Sequence, residues 1–136
     1  MGTTTTNIPI NDQISQQIRG NWKTAELIPS TSAGAGDDVV GASEDVRLYT
    51  YMSFAVEASG NCTFTYQVSY DDTNWFDPVK FQIGDITSVG DKTEGYKVDS
   101  EKRLIAVDPR HTPLYIRPVI HATAASTVKA TLIART

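Results

Sequence analysis

The chain has 136 residues and a formal net charge of −4, with 40% hydrophobic and 21% charged residues. This is the size of one ordinary domain, which can bury a core without a metal ion or a disulfide. The balance of 12 basic against 16 acidic residues is unlike that of a nucleic-acid binder. Its single cysteine, Cys62, excludes an intramolecular disulfide. No run approaches the ~18 apolar residues of a membrane span, and the start lacks the features of a signal peptide. We therefore expect one domain that folds in a reducing cytosol and binds neither nucleic acid nor membrane.

The first 45 residues differ in composition from the rest. Ile10, Ile14 and Ile18 recur at a spacing of four, which predicts one apolar face of a short helix ending near Gly20. A helix of about two turns is marginal in isolation, so it must pack on something. It either lies on its own domain or belongs to an arm that docks on a partner. The small and polar residues 30–38 then predict a flexible loop. We assign residues 1–45 to an N-terminal arm and loop.

From Val46 onward the apolar residues alternate with a period of two, which is typical of half-buried strands and places Leu48 on the inner face. Residues 46–58 and 62–70 flank the turn signal Ser59-Gly60-Asn61, so they predict an antiparallel hairpin. Short strands follow at 75–76, 79–83, 95–98, 104–107, 114–120 and 128–134, and Pro118 predicts an edge or a bulge in the strand at 114–120. No long helical pattern separates them, which disfavours parallel βαβ units. We therefore predict an all-β domain over residues 46–136, of the sandwich, jelly-roll or barrel type.

The sequence contains no recognisable catalytic constellation. The adjacent carboxylates Asp37-Asp38 and Asp71-Asp72 lie in turn-forming composition, where Asp side chains bond to the nearby backbone. His111 and His121 lack the neighbours of known catalytic motifs, and Cys62 falls on the inner face of a predicted strand. Calcium binding is a weaker alternative. The sequence offers two acidic clusters for it, Asp85, Asp91, Glu94 and Asp71, Asp72, Asn74, but neither has the spacing of a known calcium-binding loop. We expect a protein that is not an enzyme and has no cofactor or metal ion.

Three tyrosines fall on outward-facing positions of predicted strands. Tyr49 and Tyr51 share one strand, and Tyr115 lies on another beside Arg117. Exposed aromatic residues on a β-domain stack on sugars or anchor a protein interface. In the remaining alternative, the N-terminal segment of the same chain covers these tyrosines. We take Tyr49, Tyr51, Tyr115 and Arg117 as a possible subunit interface.

One segment of the sequence resembles a known hairpin. Residues 68–78, Val-Ser-Tyr-Asp-Asp-Thr-Asn-Trp-Phe-Asp-Pro, resemble the Ser-x-Asp-x-x-x-Trp hairpin of small β-sandwich domains in tailed-bacteriophage structural proteins. Residues 115–120 and 127–132 are similar to the closing strand pair of those domains. On this pattern the chain resembles the jelly-roll cement, or head-decoration, proteins of phage capsids. The resemblance implies an antiparallel jelly-roll β-sandwich of about eight strands, with Trp75 filling its mouth.

The resemblance also implies a mechanical function. A cement protein binds the outside of the major capsid protein shell and stabilises it by bridging neighbouring capsomers. It would be assembled in the host cytoplasm, lie on the virion exterior, and form dimers or trimers at a symmetry axis. The N-terminal arm suits such binding, since its large apolar side chains would occupy pockets on the capsid protein. These side chains are Ile8, Ile10, Ile14, Ile18 and Trp22.

The alternative function is a carbohydrate-binding or host-recognition module of a phage tail or fibre. Similar hairpins occur in carbohydrate-binding modules. Glycan binding would then depend on Tyr49, Tyr51, Tyr115 or Trp75.

Overall fold

The computed structural model describes residues 21–78 and 95–136. Within them lie eight strands and one 3₁₀ turn at Pro109–His111. The strands are β1 (Trp22–Ala33), β2 (Asp38–Val40), β3 (Glu44–Asp45), β4 (Tyr51–Ser69), β5 (Trp75–Phe76), β6 (Tyr96–Ala106), β7 (Tyr115–Ala122) and β8 (Ser126–Arg135). They form one antiparallel sheet, which confirms the all-β prediction. The predicted helix at Ile10–Ile18 lies outside the described residues.

The sheet is built from long chain segments that run side by side. β7 and β8 follow one another along the same edge of β4, with Ser69 opposite Tyr115 and Tyr51 opposite Arg135. On their other edge, β8 pairs with β1, and β7 pairs with β2 and β3. β6 and the short β5 pair with the remaining edge of β4. The C-terminal segment therefore occupies the centre of the sheet, between β4 and the N-terminal segment.

All of these segments bend at the same place. The rings of Phe54 and Phe64 have centroids 5.2 Å apart, although both lie on β4. Ten residues of straight strand would span about 33 Å, so β4 folds sharply between them. Opposite this bend lie the turn at 34–37, the loop at 123–125 and Ser100, whose φ is 53°. The bend divides the sheet into a first half-sheet, with β1, β8 and the start of β4, and a second half-sheet, with β2, β3, β5, β7 and the end of β4.

Hydrogen bonds between distant segments hold the bend. The Asn61 carbonyl accepts the Thr123 amide at 2.9 Å and the Thr123 hydroxyl at 2.8 Å. The Gly60 amide donates to Ser126 Oγ at 2.9 Å, and the Thr127 amide donates to Ser59 Oγ at 2.8 Å. The predicted hairpin turn at Ser59-Gly60-Asn61 is therefore wrong. These residues bond to 123–127 instead of closing a turn on themselves, so the strand continues through them.

The core lies between the two half-sheets, where inward-facing side chains of every long strand meet. The alternation predicted for β4 is confirmed, since its inward side chains are buried: Met52, Phe54, Val56, Ala58, Cys62, Phe64, Tyr66 and Val68. The prediction for Leu48 is wrong, because its side chain is 76% exposed. The residues before Tyr51 form a turn, in which the Tyr49 amide donates to the Val46 carbonyl at 3.0 Å, so strand alternation does not extend to them.

Residues 22–45 belong to the sheet. β1 buries Leu27, Ile28 and Ala33 in the common core, although we grouped this stretch with the arm. Residues 30–33 of the predicted flexible loop complete β1, and only 34–37 form a turn. Polar side chains dominate here because β1 pairs with β8 along one edge and presents one face to solvent. The amino-acid composition of this stretch reflects its exposed face, but it does not reveal the backbone pairing with β8.

The observed pairing of β6 and β7 corrects two further predictions about strands. Residues 95–98 and 104–107, predicted as separate strands, belong to one strand, β6, that follows β4 around the bend. Pro118, predicted at an edge or a bulge, lies inside β7 where the partner segment is broken between β2 and β3. Its carbonyl accepts the Gly41 amide at 2.9 Å, whereas its ring nitrogen has no hydrogen to donate.

Candidate functional site

An exposed aromatic row crosses the outer surface of the first half-sheet. Arg135 is paired with Trp22 on one side and with Tyr51 on the other, so the three side chains share one face. The guanidinium carbon of Arg135 lies 4.3 Å from the Tyr51 ring centroid and 6.0 Å from that of Trp22. The Trp22 and Tyr51 side chains remain 59% and 51% exposed. The cation therefore orders two large rings that are still open to solvent.

Apolar side chains extend this row along the strands. Ile133 lies two residues from Arg135 on the same face, and Leu104 stands opposite Ala55 on the neighbouring strand. The Leu104 side chain is 66% exposed. We call the surface formed by Trp22, Tyr51, Leu104, Ile133 and Arg135 the Trp22 face. Aromatic, arginine and aliphatic side chains together are typical of the buried centre of a protein interface.

Ion pairs border the Trp22 face on the side of the bend. Lys129 lies 3.2 Å from Glu26, and Lys102 lies 4.0 Å from Glu57. All four side chains are partly exposed, so these pairs contribute little to stability. A polar rim beside an apolar centre is a usual feature of a protein-binding surface.

The second half-sheet carries a different outer surface, in which side chains bond to one another. The Arg117 guanidinium carbon lies 4.2 Å from the Trp75 ring centroid, and its Nε donates to Gln67 Oε1 at 2.8 Å. Gln67 in turn donates to Asp77 Oδ1 at 3.0 Å. Trp75 therefore lies on the outside of the sheet against Arg117, and the prediction that it fills the mouth of a sandwich is wrong. The register explains this position, since Trp75 pairs with Ser69, which follows the core residue Val68 and lies on the opposite face of β4.

The residues predicted as a subunit interface do not form one surface. Tyr51 lies on the Trp22 face, whereas Tyr115 and Arg117 lie on the second half-sheet. The Tyr115 hydroxyl accepts Arg47 Nη2 at 2.7 Å, and Arg47 also pairs with Asp45 at 2.9 Å. That pairing lowers the pKa of the exposed Asp45 carboxyl. Tyr49 is half-buried against the core, with Lys23 Nζ 5.8 Å from its ring centroid.

Of the predicted arm residues, only Trp22 lies among the described residues. It is the first residue of β1 and belongs to the Trp22 face. Ile8, Ile10, Ile14 and Ile18 lie outside the described residues. Sequence reasoning missed Leu104, Ile133 and Arg135 as members of a surface. The alternation along β8 indicates that Arg135 points outward, but only the pairing register places it between two aromatic rings.

The turn after β4 forms an open hollow of about 490 Å³, lined by Tyr70, Asp71, Asn74, Trp75 and Phe76. We call it the Phe76 hollow. Asp71 Oδ1 accepts the Asn74 and Thr73 amides at 2.8 and 2.9 Å, and Oδ2 accepts Asn74 Nδ2 at 2.7 Å. These donors hold the pKa of the Asp71 carboxyl well below its usual range, chiefly through the backbone amides of Asn74 and Thr73. The turn predicted at Asp71-Asp72-Thr73-Asn74 is confirmed, with Asp71 as its acceptor.

The remaining candidates for chemistry bond to their neighbours. His121 Nδ1 lies 2.6 Å from Asp38 Oδ1, and Asp37 Oδ2 accepts the Gly34 amide at 2.8 Å. The Cys62 thiol is buried. Within residues 21–78 and 95–136, no group of three His, Cys, Asp or Glu side chains is placed to hold a metal ion. The acidic cluster of Asp85, Asp91 and Glu94, considered for calcium, lies outside those ranges.

Comparison with known proteins finds no family model that matches the chain and no curated protein with significant similarity to it. In the described part of the chain, no helix has the length and apolar character needed to cross a membrane.

Proposed function

We propose that this chain is a non-enzymatic structural protein of a phage virion, a cement or decoration protein that binds the outside of the major capsid protein shell. It would stabilise the shell by bridging neighbouring capsomers. The observation that carries the proposal is the Trp22 face, where Arg135 lies between two exposed rings and the side chains of Leu104 and Ile133 share the same outer surface. The free energy falls when another protein covers a surface of this composition and removes it from water.

The geometry of the Trp22 face favours a protein partner over a small substrate. Its side chains stand on the outer surface of paired strands, where they form a broad surface and not a cleft. Sites for small substrates are concave and enclose most of the ligand. A broad apolar surface with a charged border matches the surface of another protein.

The position of Trp22 connects this face to the predicted arm. The Asn21 amide donates to Thr136 Oγ1 at 2.9 Å, and the Thr136 amide donates to the Asn21 carbonyl at 3.1 Å. These bonds fix the start of the described chain beside the aromatic row. An arm carrying Ile8, Ile10, Ile14 and Ile18 would leave the domain at this point, so arm and face would contact the same capsid protein. Many copies on a symmetric shell would turn modest single contacts into strong binding.

The finer features of the proposal follow from the same role. The two half-sheets enclose one core, which is compatible with a jelly-roll sandwich. Dimers or trimers at a symmetry axis would place several arms around one contact point on the shell. The mild negative charge fits a position on the virion exterior, away from packaged DNA. Assembly would take place in the host cytoplasm.

A co-sedimentation experiment with expanded capsids tests this function. The capsids are built from the major capsid protein encoded in the same genome. We expect the full chain to bind stoichiometrically and to raise the temperature at which the capsids disrupt. The double variant W22A/Y51A should weaken binding at least about tenfold, since hot-spot side chains contribute about 2 kcal/mol or more each. Removing residues 2–20 should abolish binding while circular dichroism still reports a folded β-domain.

The matched control is Phe76→Ala, which removes a similarly exposed aromatic side chain from the second half-sheet. This variant should bind capsids as the parent chain does. A full chain that fails to co-sediment would contradict the capsid function. A truncated chain that binds as well as the parent would contradict the role of the arm.

The carbohydrate-binding alternative has less support. Its four predicted aromatic residues are spread over two half-sheets and do not form one sugar platform. In the Phe76 hollow, the Tyr70 hydroxyl already donates to the His111 carbonyl at 2.8 Å. A glycan array with no binding, beside clear capsid binding, would exclude the alternative.

A further inference from the structure

The Phe76 hollow combines exposed aromatic rings with a fixed carboxylate. Tyr70 and Phe76 are 49% and 55% exposed, and their ring centroids lie 6.3 Å apart at an angle of 51°. Asp71, Asn74 and Trp75 complete the lining. We propose that this hollow binds an organic cation, namely the guanidinium or ammonium head of a small ligand. The proposal does not depend on the capsid function.

The aromatic lining favours a cation because the face of an aromatic ring carries negative electrostatic potential. Rings that converge on one space attract ammonium and guanidinium groups, with contributions of about 0.5–2 kcal/mol for each contact. The molecule already shows this preference at one of the lining residues, since the Arg117 guanidinium carbon lies 4.2 Å from the Trp75 ring centroid. Arg117 itself is not part of the lining of the hollow.

The Asp71 carboxylate supplies the charge that a neutral aromatic site lacks. Ser69 Oγ and the two turn amides donate to Oδ1, whereas the side-chain amide of Asn74 donates to Oδ2. A carboxylate oxygen can accept more than one donor, so Oδ2 keeps capacity for a donor from the ligand. The turn amides also keep this carboxyl ionised in mildly acidic solution.

The charges along the turn have the sign that a cation requires. Asp71, Asp72 and Asp77 are all exposed within a few residues of the hollow. Arg117 on the same half-sheet is engaged by Trp75 and Gln67, and Arg110, next to His111, is paired with Asp108 at 2.7 Å. The surroundings of the hollow are therefore acidic, and they disfavour an anionic ligand.

A nuclear magnetic resonance titration of the full chain tests the proposal. The chain has two tryptophans, so the indole resonances of Trp75 and Trp22 report on the hollow and on a distant site. N-acetylarginine amide and tetramethylammonium chloride are the cationic probes, and N-acetylcitrulline amide is the neutral isostere of the first. At constant ionic strength we expect saturable shifts of the Trp75 indole in the millimolar range. The citrulline probe should bind at least about fivefold more weakly, the loss expected for about 1 kcal/mol.

Two variants assign the binding to the hollow. Asp71→Asn removes the charge, and Phe76→Leu removes one ring without touching the turn; each should weaken binding at least about fivefold. Asp72→Asn is the matched control, because it makes the same charge change at the next residue and an asparagine tolerates the φ of 60° found there. Its affinity should fall by less than about twofold, because Asp72 does not line the hollow and contributes only a longer-range, screened charge.

Several results would overturn the proposal. These are a Trp75 indole that does not shift with either cation, equal affinity for the arginine and citrulline probes, and equal losses for Asp71→Asn and Asp72→Asn. Saturation of the same resonance by methyl glucoside in place of the cations would also overturn it, and would support the carbohydrate alternative. Capsid co-sedimentation of Phe76→Leu separates the two proposals, since the hollow and the Trp22 face lie on different half-sheets.

Discussion

At the scale of single residues, Tyr66 shows how this fold places a polar atom in its core. The side chain is 7% exposed, and its hydroxyl accepts the Asp108 amide at 3.2 Å. The same oxygen lies 3.0 Å from His111 Nδ1. Burial raises the pKa of Tyr66 to about 12, so the phenol stays protonated throughout the ordinary pH range. Tyr66 thereby holds the 3₁₀ turn at Pro109–His111 against the end of β4.

We expect Tyr66→Phe to lower the free energy of unfolding by about 1 kcal/mol, because the part-buried Asp108 amide loses its acceptor. Urea unfolding followed by circular dichroism measures the change. Tyr70→Phe is the control, since the Tyr70 hydroxyl donates to the same turn from an exposed side chain. Its effect should stay within about 0.5 kcal/mol. Equal effects of the two variants would show that the Tyr66 hydroxyl contributes nothing specific.

At the scale of elements, the bend of β4 depends on a close backbone approach at Gly60. A Cβ atom at this position would lie 2.7 Å from the Ala125 carbonyl oxygen. The contact is with main chain, so no side-chain rotation relieves it. Glycine at this position lets the loop 123–125 approach β4 closely enough to bond Asn61.

The variant Gly60→Ala should therefore displace the bend and destabilise the protein by about 1–3 kcal/mol, the range for an overpacked site. Thermal or urea unfolding measures this loss. Gly34→Ala, in the turn on the neighbouring segment, is the matched control. The nearest atom to its new Cβ is the Asp37 carboxylate oxygen at 3.3 Å, which belongs to a movable side chain. A stable Gly60→Ala variant would contradict the role given to this contact.

At the scale of the whole molecule, the two half-sheets share one core. Phe54 from the first contacts Phe64 and Tyr66 from the second, with ring centroids 5.2 and 6.3 Å away. β4, the longest strand, belongs to both halves. Neither half can expose its inner face without exposing the other, so the described β-structure should unfold as one cooperative unit.

The variants Trp22→Phe and Trp75→Phe each leave one tryptophan, and so report on one half-sheet. We expect their fluorescence transitions in urea to coincide with each other and with the far-ultraviolet signal. Adding Phe54→Ala should shift both transitions by the same amount, about 3–5 kcal/mol, because the cavity lies in the shared core. Two separate midpoints would show instead that the half-sheets are independent.

The sequence by itself determined the local features of this protein. Period-two alternation identified strand segments after Val46 and the buried face of β4, although it missed β1, β2 and β3, and the Asp-Thr-Asn pattern identified the turn at Asp71. These features depend on neighbouring residues, so a single sequence contains them. The same alternation also indicates that Arg135 points outward.

Only the tertiary structure decided what those strands do together. Alternation has the same period in a hairpin and in one bent strand, and the choice at Gly60 depends on hydrogen bonds from residues 123–127, far along the chain. Likewise, the Trp22 face exists because the register brings Trp22, Arg135 and Tyr51 into one row. Pairing between distant segments is set by the common core and by backbone hydrogen bonds. No local pattern of residues reveals the common core or the backbone hydrogen bonds between distant segments.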